Sequence, residues 1–386
     1  MNNEGILSNK NIASLTLLVL SVQFCALEGE TISMYKVVYM GITPLLLLLR
    51  SPRISKAIIL SILFWATTYL MIVLQFENQR LSTLYYSLFY LSAFCLFYNL
   101  VWEEKCFQLE EAIVLVRFLI RIYVIFLLLQ QLAMLVGIRY LPFINLYGTR
   151  WQGLFHLSSL AIEPSHAARL MTVFMYAFLK LVEFSQGRPI TLSEMFGRYR
   201  WTVWGFLYFM LAIGSGTAMA GLGILSLYFL RPQYAIVVVT VVLLFYLITP
   251  FIDYEPLNRA MTTFDAALSM DETQVTKADQ SASTRVNQLI SLKYTDLSDY
   301  RTWFGRGIDA PSKGPTTIRV VYEYGMISYL LKLLLYFSCS ICGLFSLSSL
   351  MFVFLFTMNI GNVAYCFAAL MVFSLVKYFM QEYVRE

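Results

Sequence analysis

Charge is what this chain has least of: 13% of its 386 residues are Asp, Glu, Lys or Arg, against 59% hydrophobic. The mean hydropathy is +0.67. That much apolar side chain exceeds what one soluble core hides, so an ordinary soluble domain is excluded and an all-α polytopic membrane protein is expected. Histidine is scarcer still, with His156 and His166 the two in the chain. With Glu163 they do not make a His-Glu-x-x-His pattern, and no further ligand cluster is evident, so no metal is expected. Gly-x-Gly-x-x-Gly and P-loop patterns are missing, so no nucleotide cofactor is expected and the substrate must arrive already activated. Of 6 cysteines, Cys25, Cys95, Cys339, Cys342 and Cys366 fall in apolar stretches and Cys106 in a loop on the inner side. The outer loops therefore lack a thiol, and no disulfide framework is implied. Cys339-Ser-Ile-Cys342 has a redox spacing, but two small polarizable side chains on an apolar helix account for it. There is no compact basic domain behind the formal charge of +5, so no nucleic-acid partner is expected.

What is present is a series of apolar stretches, each near the ~20 residues a bilayer crossing needs. They predict about a dozen spans, at 12–27, 32–49, 56–75, 81–101, 112–136, 164–183, 201–213, 217–230, 235–251, 318–337, 339–356 and 361–379. The pair around Gly214-Ser-Gly216 is short for full crossings and has a second reading, as one broken or re-entrant element. The first stretch lacks a small-residue cleavage site and is followed at once by another span, so it is expected to be retained. No repeat of convincing period is found.

Lys and Arg favour cytoplasmic loops. Arg50, Arg53 and Lys56 follow the second span, Arg188, Arg198 and Arg200 the sixth, Arg231 the eighth, and Lys377 and Arg385 lie near the end of the last. This places the N-terminus inside. Two long loops then face outward, 138–163 and 252–317, the larger lying between the ninth and tenth spans. One inner loop runs against the pattern, with Glu103, Glu104, Glu110 and Glu111. A loop as long as 252–317 is more than a connector. Within it, short helices are predicted near 257–270 and 281–292.

The outer loops gather the chemistry. Arg150, Arg285, Arg301, Arg306 and Arg319 are the outer-face cations. A guanidinium fork binds phosphate oxygens in two-point fashion, so lipid-borne pyrophosphate sugars fit an outer site of this kind. Trp151, Tyr294, Tyr300 and Trp303 lie beside these arginines as candidate sugar-stacking surfaces, with membrane anchoring as their other reading.

The motifs have an order: Arg150-x-x-Gly153-x-Phe155, then Glu163-Pro-Ser165 opening a span, Gly214-Ser-Gly-Thr217 at a span junction, Ser281-x-Ser-x-Arg285, and Phe304-Gly-x-Gly307. In that order, over about residues 140–330, the chain resembles the Wzy O-antigen polymerase and O-antigen ligase superfamily. The resemblance implies a GT-C-type membrane glycosyltransferase, inverting and metal-independent, acting at the periplasmic face of the bacterial inner membrane. Its donor and acceptor are implied to be undecaprenyl-pyrophosphate-linked oligosaccharides. A chain-length regulator is the protein partner it leaves open. It implies that Arg150 and Arg285 bind pyrophosphate, and Glu163 is then the group that takes the proton from the attacking sugar hydroxyl, with His166 on the same helical face. Arg301, Arg306, Arg319, Trp151, Ser165 and Ser281 are the further substrate-binding candidates. Ligases, and many polymerases, carry an outer-loop histidine before a Glu-x-Gly like Glu323-Tyr-Gly325; here that region reads Lys313-Gly-Pro-Thr-Thr317, which favours a polymerase over a ligase.

Plainer readings stand beside these. Arg150 also suits a headgroup anchor. Glu163-Pro-Ser165 suits an ordinary helix start, with proline in the first turn and an acid at the positive end of the dipole. Gly214-Ser-Gly216 suits close helix packing. Arg319 and Glu323, four apart, suit an intrahelical pair. A transporter or lipid flippase, from a different functional class, shares the many-span pattern; it is expected to show mid-span ionisable residues and two matching half-chains.

Overall fold

The computed structural model describes residues 8–23, 33–50, 52–74, 81–138, 141, 157–229, 240, 258, 262, 296–307, 319–357 and 363–385. Among them every element is helical and there is no strand. In chain order they are α1 (Asn9–Ser21), α2 (Met34–Leu49), α3 (Lys56–Leu74), α4 (Leu81–Trp102), α5 (Leu109–Leu135), α6 (Pro164–Gln186), α7 (Leu192–Phe196), α8 (Arg200–Ala212) and α9 (Gly216–Ser226). After the large loop come α10 (Tyr300–Phe304), α11 (Arg319–Ser340), α12 (Leu347–Phe352) and α13 (Val363–Arg385). Leu84–Trp102, Leu109–Leu135 and Val363–Tyr383 are long and apolar enough to cross a membrane, as a helical membrane protein requires.

The core is built on α6 and α13. Their paired rings fix a parallel register, with His166 beside Tyr365, Tyr176 beside Phe373 and Phe184 beside Tyr383. α4 joins in the same sense through Phe94 against Phe367 and Trp102 against Tyr378. The apolar window of α13 is 83% buried and that of α5 39%, so α13 is central and α5 peripheral. On the outer helices the uncovered side chains recur every three or four residues: Val38, Ile42, Leu45 and Leu49 on α2, and Trp201, Trp204, Tyr208 and Leu211 on α8. Such an apolar stripe suits lipid and not water.

The acidic loop that ran against the charge pattern is locally neutralised. Lys10 pairs with Glu111 at 2.9 Å, Arg53 with Glu103 at 3.5 Å, and Ser185 donates to Glu110 at 2.7 Å. All three partners come from segments expected on the same side.

The short pair around Gly214 keeps its predicted bounds, whereas α1 stops at Ser21, before the predicted end at 27, and the 339–356 span needs redrawing. α8 runs alongside α5, with Gly205 against Val124 and Tyr208 Oη bonded to Gln131. The chain then turns at Gly214 (φ 61°), and α9 returns along α6 until Tyr228 Oη donates to Glu183 at 2.8 Å. This is a hairpin of two short helices, each below the ~20 residues of a full crossing, and not one interrupted helix. The predicted 339–356 span begins later and is shorter: α11 runs on to Ser340, and serines then build a turn. Ser346 Oγ and Ser349 Oγ both donate to the Gly343 carbonyl, and the Cys342 N–H donates to Ser348 Oγ, so hydroxyls satisfy backbone groups that a helix would have paired. The predicted 235–251 span and the two loop helices lie outside the described residues, save that Thr240, Asn258 and Thr262 are helical.

Candidate functional site

The loop 157–163 brings the Glu163 motif into place, and it is pinned from three sides. From α5, Gln130 clamps Ser159 with both ends of its amide, donating to the Ser159 carbonyl at 2.9 Å and accepting from the Ser159 N–H at 2.8 Å. Ser159 Oγ donates to the Tyr123 carbonyl at 2.6 Å. From the end of α1, the Gln23 N–H donates to the Leu160 carbonyl at 2.8 Å. From α13, Tyr365 Oη accepts from the Ile162 N–H at 3.0 Å. Ser159 is held at φ +51°, a left-handed conformation that non-glycine residues adopt at a cost.

Glu163 then stands at the N-cap of α6, with Pro164 in the first turn. Its side chain does not cap the helix. Instead the carboxylate, 55% exposed, lies 3.9 Å from Nε2 of His166, which is 10% exposed. Pro164 and the helix start thus follow the plain reading, while the carboxylate itself is turned toward His166. Ser165 occupies the same first turn, half-buried.

Behind His166 the interior is cationic. Its ring centroid lies 5.3 Å from that of Tyr365, and the Lys36 ammonium lies 5.4 Å from the Tyr365 centroid. Arg169, one turn along α6, lines a small recess with His166, Tyr365, Leu170, Leu355 and Ala369. Lys36 is 2% exposed, Arg169 5% and His166 8%. Burying charge costs several kcal/mol per ion in order of magnitude unless partners compensate. Lys36 has such partners in Gln23 Oε1 at 3.0 Å and the Leu20 carbonyl at 3.4 Å, the latter at the negative end of the α1 dipole. Sequence reasoning passed over Lys36, Arg169 and Tyr365. The available signal was an ionisable residue a turn or two inside an apolar span, which is a functional candidate by default.

A second assembly joins two motifs far apart in the chain. Phe304-Gly-x-Gly307 docks on Glu323-Tyr-Gly325: the Arg306 N–H donates to the Tyr322 carbonyl at 2.9 Å and the Gly307 N–H to the Glu323 carbonyl at 3.1 Å. Gly305 (φ 82°) and Gly325 (φ 85°) sit at the contact, and a Cβ on either would overlap the facing backbone. Gly325 breaks α11 for this purpose, with non-helical φ 85° and ψ 163°. Arg306 is engaged within the assembly, its guanidinium 2.6 Å from Asp299 and 4.9 Å from the Tyr322 ring centroid. Arg301 is exposed, its Nε donating to Tyr300 Oη at 3.3 Å. Glu323 is 7% exposed.

The structure thus groups Glu163, Ser165 and His166 on one helix start, leaves Arg301 exposed on α10, and holds Arg306, just past α10, against α11. Arg319 is described in its backbone alone, and Arg150, Trp151, His156, Ser281 and Arg285 lie outside the described residues. Chemically, the first group pairs a solvent-reaching carboxylate, able to take a proton, with buried cations that favour an anion. Set against protein-family models, curated proteins and solved structures, the chain matches none.

Proposed function

We propose that this chain is a glycan polymerase of the bacterial inner membrane, a GT-C-like protein of about twelve spans that joins undecaprenyl-pyrophosphate-linked oligosaccharides at the periplasmic face. The observation that carries the reading is the juxtaposition of the Glu163 carboxylate with His166 at 3.9 Å, over an interior holding Lys36 and Arg169. A polymerase needs both halves. The acceptor hydroxyl attacks the anomeric carbon as the bond from that carbon to the pyrophosphate oxygen breaks. The electron pair leaves with the lipid pyrophosphate, and the hydroxyl proton passes to Glu163. Arg150, Arg285 and Arg169 offset the charge growing on the leaving group. The product is inverted at the anomeric centre, and no metal is invoked. The Gly305–Gly325 clasp supports the reading by tying the large loop to the bundle.

One observation favours a transporter or flippase of lipid-linked glycan instead: Lys332 lies well inside α11, its ammonium 5.6 Å from the Tyr336 ring centroid. A single experiment separates these readings and the ligase. The gene is deleted in its native host, and the surface glycan is resolved by size after complementation with the intact gene, Glu163→Gln or Arg169→Gln. Collapse of the ladder to single repeat units in the deletion and in both variants is the expected result. Polymer stranded on its carrier with none on lipid A means a ligase, loss of all surface glycan including single units means transport, and an unchanged ladder overturns glycosyl transfer and transport of this glycan alike.

A further inference from the structure

At the inner end of α5 and α8 the chain assembles arginines with no acid among them in the described residues. Two guanidinium groups lie over the Tyr199 ring, Arg117 at 5.9 Å and Arg198 at 5.5 Å from its centroid. Arg121, one turn from Arg117, lies within electrostatic range of it. The Arg200 guanidinium lies 5.4 Å from the Trp201 ring centroid. Arg117 Nε is buried and has no hydrogen-bond partner among the described residues. Glu194, four residues before Arg198, is held by Arg188 and by Thr191. Arg121 and Arg198 act on Arg117 as like charges, and its buried donor left unmade costs free energy. A bound anion offsets both.

The surroundings say which anion. Trp201 is 76% exposed and Trp204 58%, and the apolar stripe continues along α8 to Leu211 and beside it on α5 through Phe118 and Ile125. Gly205 lets α5 and α8 approach closely, with Val124 3.5 Å from the position of a Cβ. A soluble phosphate would use the arginines and leave this seam bare, whereas a phospholipid uses both, its phosphate on the guanidinium forks and its chains on the stripe. Exposed tryptophans beside arginines also mark the headgroup level of a bilayer.

We infer that Arg117, Arg121, Arg198 and Arg200 bind the phosphate of an anionic phospholipid whose acyl chains lie along the α5–α8 seam. This rests on the membrane reading of the fold and is independent of the proposed glycosyl transfer.

The full chain in detergent is titrated with phosphatidylglycerol or phosphatidylcholine and the bound lipids are counted by native mass spectrometry. Phosphatidylglycerol is expected to bind in preference. Replacing the exposed pair with Arg198→Gln and Arg200→Gln is expected to weaken it on the order of 5-fold per arginine. Phosphatidylcholine binding should not change, which verifies that the variant is folded, and Arg53→Gln, elsewhere on the inner end, should keep the preference. Equal binding of the two lipids, or a preference the double variant retains, overturns the site. Displacement of phosphatidylglycerol by millimolar inorganic phosphate overturns the assignment to a lipid.

Discussion

Gly325→Ala tests the clasp between the large loop and α11. At φ 85° and ψ 163° Gly325 occupies a region essentially reserved for glycine, where another residue costs about 1–3 kcal/mol. The new Cβ would also overlap the Trp303 carbonyl oxygen and come within 2.7 Å of the Gly305 nitrogen. Relieving that overlap means lifting the 303–305 backbone, which breaks the bonds from the Arg306 and Gly307 amides to the Tyr322 and Glu323 carbonyls, at about 1 kcal/mol each. The sum is about 3–5 kcal/mol, or opening of the clasp on the order of 10²- to 10⁴-fold more often. Hydrogen exchange read by mass spectrometry over 299–307 in the purified protein measures it directly. Gly223→Ala is the control: nothing lies within 4 Å of its Cβ position, and a helical Gly→Ala exchange is worth about 1 kcal/mol in favour of the helix. Unchanged exchange at 299–307 in Gly325→Ala would refute the clasp as the element that holds the loop.

Gln130→Ala removes both ends of the Ser159 clamp and leaves a buried N–H and a buried carbonyl unsatisfied, at a cost of about 2–5 kcal/mol. The expected outcome is a lower melting temperature in detergent together with loss of polymer; a native melting curve would show that the 157–163 loop is held by other means. Glu194 gives a pH test outside the spans. The Arg188 guanidinium and the Thr191 N–H hold its carboxyl down to about 2, so the α7 cap is in place above the ordinary carboxylate value near 4.5 and is lost as pH falls through about 2. Corrected hydrogen exchange of Thr191–Phe196 should show its transition near 2, and Glu194→Gln should show none; a wild-type transition near 4.5 would contradict the pairing.

Helix positions were legible because apolar runs of bilayer length admit little else. α2, α3, α4 and α8 fall within two residues of their predicted ends, and α5 begins three residues earlier, at Leu109, where a capping box of Gln108 and Glu111 starts it. α6 runs three residues past its predicted end to Gln186, and Gly187, with a φ of 64°, is its left-handed cap. The turn after Ser340 was not legible, since serine in an apolar run continues a helix or closes a turn depending on which carbonyls its hydroxyl meets. At the site, Glu163 and His166 were visible by spacing, but the choice between capping and facing His166 is a rotamer decided by tertiary neighbours. Lys36 and Arg169 were hidden by their small number: two charges barely alter the hydropathy of a span. The meeting of Gly305 with Gly325 depends on a fold-back that no local pattern encodes.

The position of α13 in the chain bears on how the protein is made. This helix lies against α1, α4, α6 and α11 and supplies Tyr365 to the Glu163 loop, yet it follows all of them in the order of synthesis. The earlier helices must therefore wait in the bilayer with their future core faces turned to lipid or to each other, because the piece they close around leaves the ribosome after them. A ribosome that stalls before residue 363 leaves those helices without the one they pack around, as substrates for the quality-control proteases.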